Sequence, residues 1–174
     1  MKNPKLTFAT LWGCLLLLCA GCNAPTQDYS ATMDTMTFEW SGPLMEGSNP
    51  AQQIVQVNLQ QLLGDRFRDD LEIVQVHLES AVLTGDSGQH MEQLNSLVLS
   101  IAGDDPALPM KELAVLNPVQ ISQGKAELIP SPEAELKDFF GQKQFYLVVD
   151  AGLKEDRDLD LRLQGDFRWK IQYR

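Results

Sequence analysis

Cysteine is missing from most of this chain, because all three cysteines (Cys14, Cys19 and Cys22) fall within the first 22 residues. The remainder therefore excludes a disulfide, a thiolate zinc site and a cysteine nucleophile. Its stability must come from the core alone. That is feasible, since a chain of about 150 residues buries roughly two-thirds of its unfolded surface. A single domain is the expected organisation.

Histidine is almost as scarce, with only His77 and His90. We expect His77 on a solvated sheet face and His90 in a polar loop, which is too little for a clustered zinc site. The segment 85–88, Gly-Asp-Ser-Gly, resembles the nucleophile segment of trypsin-like proteases. That mechanism also needs a base histidine and an orienting acid on a larger double barrel. We therefore interpret the segment as a turn, for which Gly and Asp are favoured.

Basic residues are also few relative to acidic ones. The chain has 24 acidic and 14 basic residues, and Lys2 and Lys5 lie in a leader-like segment, so the rest carries a formal charge of −12. Such a surface repels phosphate backbones, which argues against a nucleic-acid partner. It also lacks a polybasic contact for a membrane, so any membrane attachment must come from lipids.

Alternating acids at Asp156, Asp158 and Asp160 are the best metal candidate, because they resemble the opening of a calcium loop. An EF-hand is excluded, since its sixth position is Leu161 and its twelfth is Phe167. A looser calcium contact with three further acids is an alternative: Asp104, Asp105 and Glu155. The favoured interpretation is a solvated loop whose charge protects a sheet edge.

No catalytic residues are assigned, and we expect neither enzymatic activity nor a cofactor. Glycoside hydrolysis needs two carboxylates flanking a cleft, and 24 acids make any nominated pair uninformative. Sugar stacking is more specific, because it needs exposed aromatic platforms. Trp40, Tyr29 and Tyr146 are candidates for such a face, whereas Phe167 and Trp169 are expected in the core.

The N-terminus has the layout of an export signal over residues 1–21, with lysines followed by an apolar run and no acid before Asp28. Residues 18–22, Leu-Cys-Ala-Gly-Cys, resemble the lipobox of bacterial lipoproteins. The resemblance implies cleavage before Cys22 and acylation of that residue. Cys19 stands where the family usually has Leu, and a plain signal peptide is the alternative. Asn23, where an inner-membrane lipoprotein usually has Asp, implies the outer membrane.

Residues 22–31 are polar and predict a tether, and residues 32–174 predict the folded domain. Apolar residues recur there with a period of two, which is typical of strands with one buried face. The candidate strands are 35–40, 54–59, 71–83, 94–101, 113–116, 125–129, 144–151 and 159–173. The last is expected to bend or bulge at Gly165 and to cross from one sheet to the other. Turn-rich segments separate the strands, so we predict an all-β antiparallel sandwich of about seven to nine strands.

Two short helical turns interrupt this pattern. Asn58 is predicted to cap the first, closed by Gly64, and Ser131 is predicted to cap a second over Pro132–Phe140. They are interpreted as plugs at the ends of the sandwich, with a faint internal repeat as the alternative. The order of strands and plugs over residues 35–173 resembles short bacterial β-sandwich lipoproteins of unassigned activity.

The sequence therefore predicts a lipid-anchored, non-catalytic binding or structural protein of the cell envelope. Its protein or glycan partner is unknown. Two alternatives from other classes are a carbohydrate-binding lipoprotein and an accessory subunit of an envelope transport or secretion complex.

Overall fold

The computed structural model describes residues 25–85 and 90–174, which are mostly β-structure. Nine antiparallel strands and two short α-helices confirm the predicted all-β class. Cys22, the predicted signal peptide and residues 86–89 lie outside the described residues. The strands are β1 Gln27–Thr32, β2 Met36–Trp40, β3 Pro50–Gln56, β4 Ile73–Gly85, β5 Leu94–Gly103, β6 Lys111–Leu116, β7 Lys125–Pro130, β8 Gln144–Leu153 and β9 Leu161–Tyr173. The helices are α1 Leu59–Leu63 and α2 Lys137–Phe140, with one-turn 3-10 helices at Gly64–Arg66 and Met91–Gln93.

The strands form one curled sheet in the order β1-β9-β4-β7-β6-β5-β8-β3, and β2 pairs with β9 on the same side as β1. Phe145 of β8 nevertheless packs against Trp169 of β9, with ring centroids 6.3 Å apart. These two strands are far apart in the hydrogen-bonded order, so the sheet must fold over on itself. The result is the predicted sandwich, with β2, β9 and β4 facing β5, β8 and β3.

The first strand corrects the predicted boundary between tether and domain. Gln27 to Thr32 pair with Tyr173 to Arg168 of β9, so the fold begins inside the predicted tether, residues 22–31. Only Ala31 of this strand is buried, and its other residues are mostly polar and exposed. The pattern that identifies a strand is therefore missing from its sequence, and backbone pairing with β9 defines it instead.

Strand β9 runs without interruption, with buried and exposed residues alternating over nearly all its length. The expected bulge at Gly165 is wrong, because Gly165 pairs in register with Met36 and Leu83. A side chain there would collide with an aromatic ring, since an added Cβ would lie 2.6 Å from the ring of Phe167. Close packing therefore requires this glycine.

The expected crossing of β9 between layers is also wrong. Strand β7 makes that crossing, because Lys125–Leu128 pair with β4 and Ile129–Pro130 pair with β6. The core lies between the layers and is rich in aromatic residues. Its largest fully buried side chains are Trp169, Phe38, Phe139, Phe140, Phe145 and Phe167.

The first predicted plug is confirmed. The side chain of Asn58 accepts a hydrogen bond from the Gln61 N–H at 3.0 Å, and Gly64 ends the helix with a positive φ of 56°. Leu63 is fully buried beneath it. Within the described part of the chain, no helix has the length and apolar character needed to span a membrane.

The second plug is shorter than predicted, covering Lys137–Phe140 instead of Pro132–Phe140. Ser131 is not its cap, because the helix begins at Lys137 and Leu136 occupies the N-cap position. The Ser131 N–H instead donates to Leu113 O at 2.7 Å and extends the pairing beside β6. The carboxylate of Glu135 takes over the capping role, with Oε1 accepting from the N–H groups of Leu136 and Lys137 at 3.0 Å each.

Candidate functional site

The predicted calcium acids are engaged in holding a loop. Asp156 Oδ1 accepts the Glu46 N–H at 2.6 Å, and Asp160 Oδ1 accepts the Gly42 N–H at 3.1 Å. These bonds fasten the 41–49 segment, which leads into β3, to the 154–160 segment, which leads into β9. Among the described residues, no group of three or more His, Cys, Asp or Glu side chains is arranged to hold a metal ion.

The further acids considered for calcium do not join Asp156, Asp158 and Asp160. Asp104 accepts a hydrogen bond from Gln144 Nε2 at 2.7 Å, at the start of β8, whereas the aspartate triplet follows the end of that strand. Ten residues of extended chain separate the two places by roughly 30 Å. Glu155 is near the triplet but pairs with Arg157. The structure therefore does not form the predicted calcium contact.

The predicted aromatic face is not assembled either. Trp40 is buried, and its indole N–H donates to Asn49 O at 2.7 Å. Tyr29 is half-buried, with the Arg66 guanidinium 4.4 Å from its ring centre. Tyr146 is half-buried beside Asp104, whose hydrogen bond and negative charge raise the pKa of the phenol. The exposed large apolar side chains of the described segments are methionines and isoleucines.

His77 is part of a polar cluster, contrary to the expectation of a simple solvated position. It is half-buried in β4, and its Nδ1 lies 3.1 Å from Ala134 O. His90 lies elsewhere, in the left-handed region before Met91–Gln93. The two histidines therefore do not share a site.

Glu135 is the centre of that cluster. Besides the two α2 amides, its Oε1 accepts the Val76 N–H at 3.2 Å, and Lys111 Nζ donates to its backbone oxygen at 2.7 Å. Partial burial raises the pKa of the Glu135 carboxyl, but the backbone N–H donors and the charge of His77 outweigh that effect, so its net pKa is lowered. The cluster covers the part of the β4 edge that β7 does not reach.

One groove opens between the two layers at the seam where β2 faces β3. No ladder pairs these strands, and the Gln53 side chain crosses the seam to donate to Thr37 O at 2.6 Å. A cavity of about 280 Å³ lies at this seam, and Ile54, one of its lining residues, is 55% exposed. Its other apolar lining residues are Met33, Met36, Val55, Val57 and Leu62.

A second, wider depression of about 580 Å³ lies at the end of the sandwich where β1 and β4 begin. The apolar residues that line it are Leu59, Leu71, Ile73, Leu108 and Phe140. Its charged and polar lining residues are Glu72, Asp105, Lys137, Asp138 and Gln142. A lining that combines apolar side chains with a few polar groups is the general form of a ligand pocket.

Comparison with known proteins adds little to this geometry. No protein-family model matches the chain, and no curated protein matches it in sequence. Among solved structures, it is similar to a decameric BFDV capsid protein, with 10% identity, a TM-score of 0.41, and coverage of 86% of this chain and 99% of that one. A 60-mer BFDV capsid protein matches with 10% identity, a TM-score of 0.39, and coverage of 86% and 94%. Likeness this distant carries no argument about function.

Neither the two depressions nor the Glu135 cluster was predicted from the sequence. Glu135 follows Pro132, Glu133 and Ala134 in a segment that reads as the first turn of a helix, and its role as an acceptor depends on β4, some sixty residues earlier. The apolar residues that line the wider depression come from four distant segments of the chain. Local sequence carried no signal for either arrangement.

Proposed function

We propose that this protein is a lipid-anchored component of the bacterial envelope, acylated on Cys22 and held at the outer membrane. The single observation that carries the proposal is the segment 18–22, Leu-Cys-Ala-Gly-Cys, after a positively charged and apolar leader. The position of strand β1 determines how close such an anchor would lie to the domain. Gln27 is already paired in the sheet, so only four residues separate Cys22 from the folded domain.

The domain acts as a binding or structural module without catalysis. This part of the proposal is supported by what the best-placed carboxylates do. Asp156, Asp160 and Glu135 each accept backbone N–H groups and hold loops in place. Such acceptors fix a fold, whereas general acid–base chemistry needs a carboxyl directed at a reacting group.

An accessory subunit of an envelope complex is the second candidate, and one observation favours it over carbohydrate binding. The seam groove presents the exposed Ile54 beside a row of apolar side chains, which suits the apolar side chain of a protein partner. The tyrosines considered for sugar stacking are instead engaged with Arg66 and Asp104.

Replacing Cys22 tests the anchor. In a Cys22→Ser variant we expect loss of radiolabelled palmitate incorporation and release of the protein from the membrane fraction. Cys14→Ser is the matched control, because it removes a thiol from the leader outside the 18–22 segment and should keep both label and membrane retention. Label and retention that persist in the Cys22→Ser variant would show the proposal to be wrong.

A further inference from the structure

The lipid anchor and the sheet together determine which end of the domain meets the membrane. Gln27 pairs with Tyr173, and Tyr173 in turn pairs with Ile73 at the start of β4. From Cys22 to Gln27 the chain spans at most about 17 Å when fully extended. An acylated Cys22 therefore keeps this end of the sheet within that distance of the lipid headgroups.

We define the anchor end as Gln27, Glu72–Ile73, Leu108, Lys137–Gln142 and Tyr173–Arg174. These residues adjoin one another, since Glu72 and Arg174 exchange backbone hydrogen bonds and the wider depression joins Glu72, Leu108 and residues 137–142. The distal end consists of the 41–49 and 154–160 segments, beyond the other end of β9. The 13 residues of β9 separate the two ends by roughly 40 Å.

We propose that the anchor end is a docking surface for the lipid bilayer, and that the apolar depression receives lipid from it. This inference rests on the proposed acylation of Cys22. The short segment between Cys22 and Gln27 keeps the anchor end close to the bilayer. Half-buried apolar surface in the depression comes from Leu59, Leu71 and Leu108. Burying such surface in the interface is favourable in proportion to its area.

Charge does not drive this contact. Arg174 pairs with Glu72 at 2.8 Å and Arg68 pairs with Asp70 at 3.4 Å, so these two basic groups near the depression are already partnered by acids. Without Lys2 and Lys5 of the predicted signal peptide, the chain carries a formal charge of −12, which opposes attraction to anionic headgroups. Anionic lipid should therefore not strengthen the contact relative to a zwitterionic bilayer.

Two exposed methionines provide a matched pair of probes. Met110 precedes β6, whose first residue pairs with Ile101 near the anchor end of β5, and it is 64% exposed. Met45 lies in the distal 41–49 segment and is 58% exposed. In the acylated, processed chain an engineered cysteine is the only free thiol. Cys14 and Cys19 are removed with the predicted signal peptide, and Cys22 is blocked by its thioether. Met110→Cys and Met45→Cys can therefore each carry one fluorophore.

Both labelled lipoproteins are reconstituted into phosphatidylcholine vesicles, with and without anionic lipid, that contain headgroup spin-labelled lipid as the quencher. We expect quenching several times stronger at position 110 than at position 45, and no stronger at position 110 when anionic lipid is present. Equal quenching at both positions, or stronger quenching at position 45, would overturn the orientation. A position-110 probe protected from aqueous iodide but not quenched by lipid would indicate a second protein copy and would also overturn it.

The two proposals fail in distinguishable ways. Loss of palmitate label and of vesicle association in the parent protein would contradict acylation itself. A labelled, vesicle-bound protein without preferential quenching at position 110 would contradict only the docking surface.

Discussion

Glu135 offers the sharpest test of how the second plug is held. Glu135→Ala removes the acceptor of three backbone N–H groups, on Val76, Leu136 and Lys137. The three losses are unequal. Leu136 N–H still donates to Val76 O at 3.0 Å, and the exposed Lys137 can turn to water. The Val76 N–H has no such substitute among the described contacts.

The expected cost follows from these differences. A buried donor left without an acceptor costs about 1–3 kcal/mol, and loss of a helix cap costs about 1 kcal/mol. We therefore expect Glu135→Ala to lower the free energy of unfolding by roughly 2–3 kcal/mol. That corresponds to a fall of roughly 5–10 °C in Tm for a domain of this size. Urea unfolding followed by tryptophan fluorescence measures it, since Trp40 and Trp169 are both buried.

Glu133→Ala is the matched control, because it removes an exposed carboxylate two residues away. It should change the free energy of unfolding by less than about 0.5 kcal/mol, as surface substitutions usually do. If Glu135→Ala destabilises the protein no more than this control, the carboxylate does not hold the plug and the reasoning is refuted.

The same carboxylate predicts a pH dependence. The pKa of Glu135 is lowered in the folded protein, since its backbone donors and His77 favour the charged form. Its stabilisation is therefore fully present above the unfolded carboxyl pKa of about 4.3 and is lost as the pH falls through the lower folded value. Glu135→Gln should keep part of the stability near neutral pH and show a weaker loss on acidification. A wild-type and Gln variant with identical acid profiles would contradict this assignment.

Two further predictions concern the core and the acidic loop. Gly165→Ala forces a Cβ to 2.6 Å from the Phe167 ring and should lower the free energy of unfolding, measured in urea, by about 1–3 kcal/mol. The control, Gly103→Ala, meets only a flexible glutamine side chain and should cost less. Equal losses in the two variants would contradict the packing argument. Calcium at about 1 mM should leave the Tm unchanged, because Asp156 and Asp160 bind backbone amides instead of converging. A calcium-dependent rise in Tm that disappears in Asp156→Asn would revive the metal interpretation.

The sequence pattern predicted what local chemistry controls. The alternating burial in β9 could be predicted because the burial of each side chain depends only on which face of the strand it occupies. The cap at Asn58 was readable for a similar reason, since acceptor and donor lie three residues apart. Cys22 and the signal peptide remain predictions, because they lie outside the described residues.

Contacts between distant parts of the chain decided the rest. Strand β1 was not predicted because its own sequence lacks an apolar pattern. It is defined by backbone pairing with β9, which lies about 140 residues away. The 156–160 aspartates resembled calcium ligands in sequence, but the 41–49 segment gives their carboxylates backbone N–H partners. Sequence by itself determined the strand pattern, the acidic surface and the candidate anchor. Only the tertiary structure decided which carboxylates were already used and which end of the domain lies beside that anchor, since both depend on which distant segments meet.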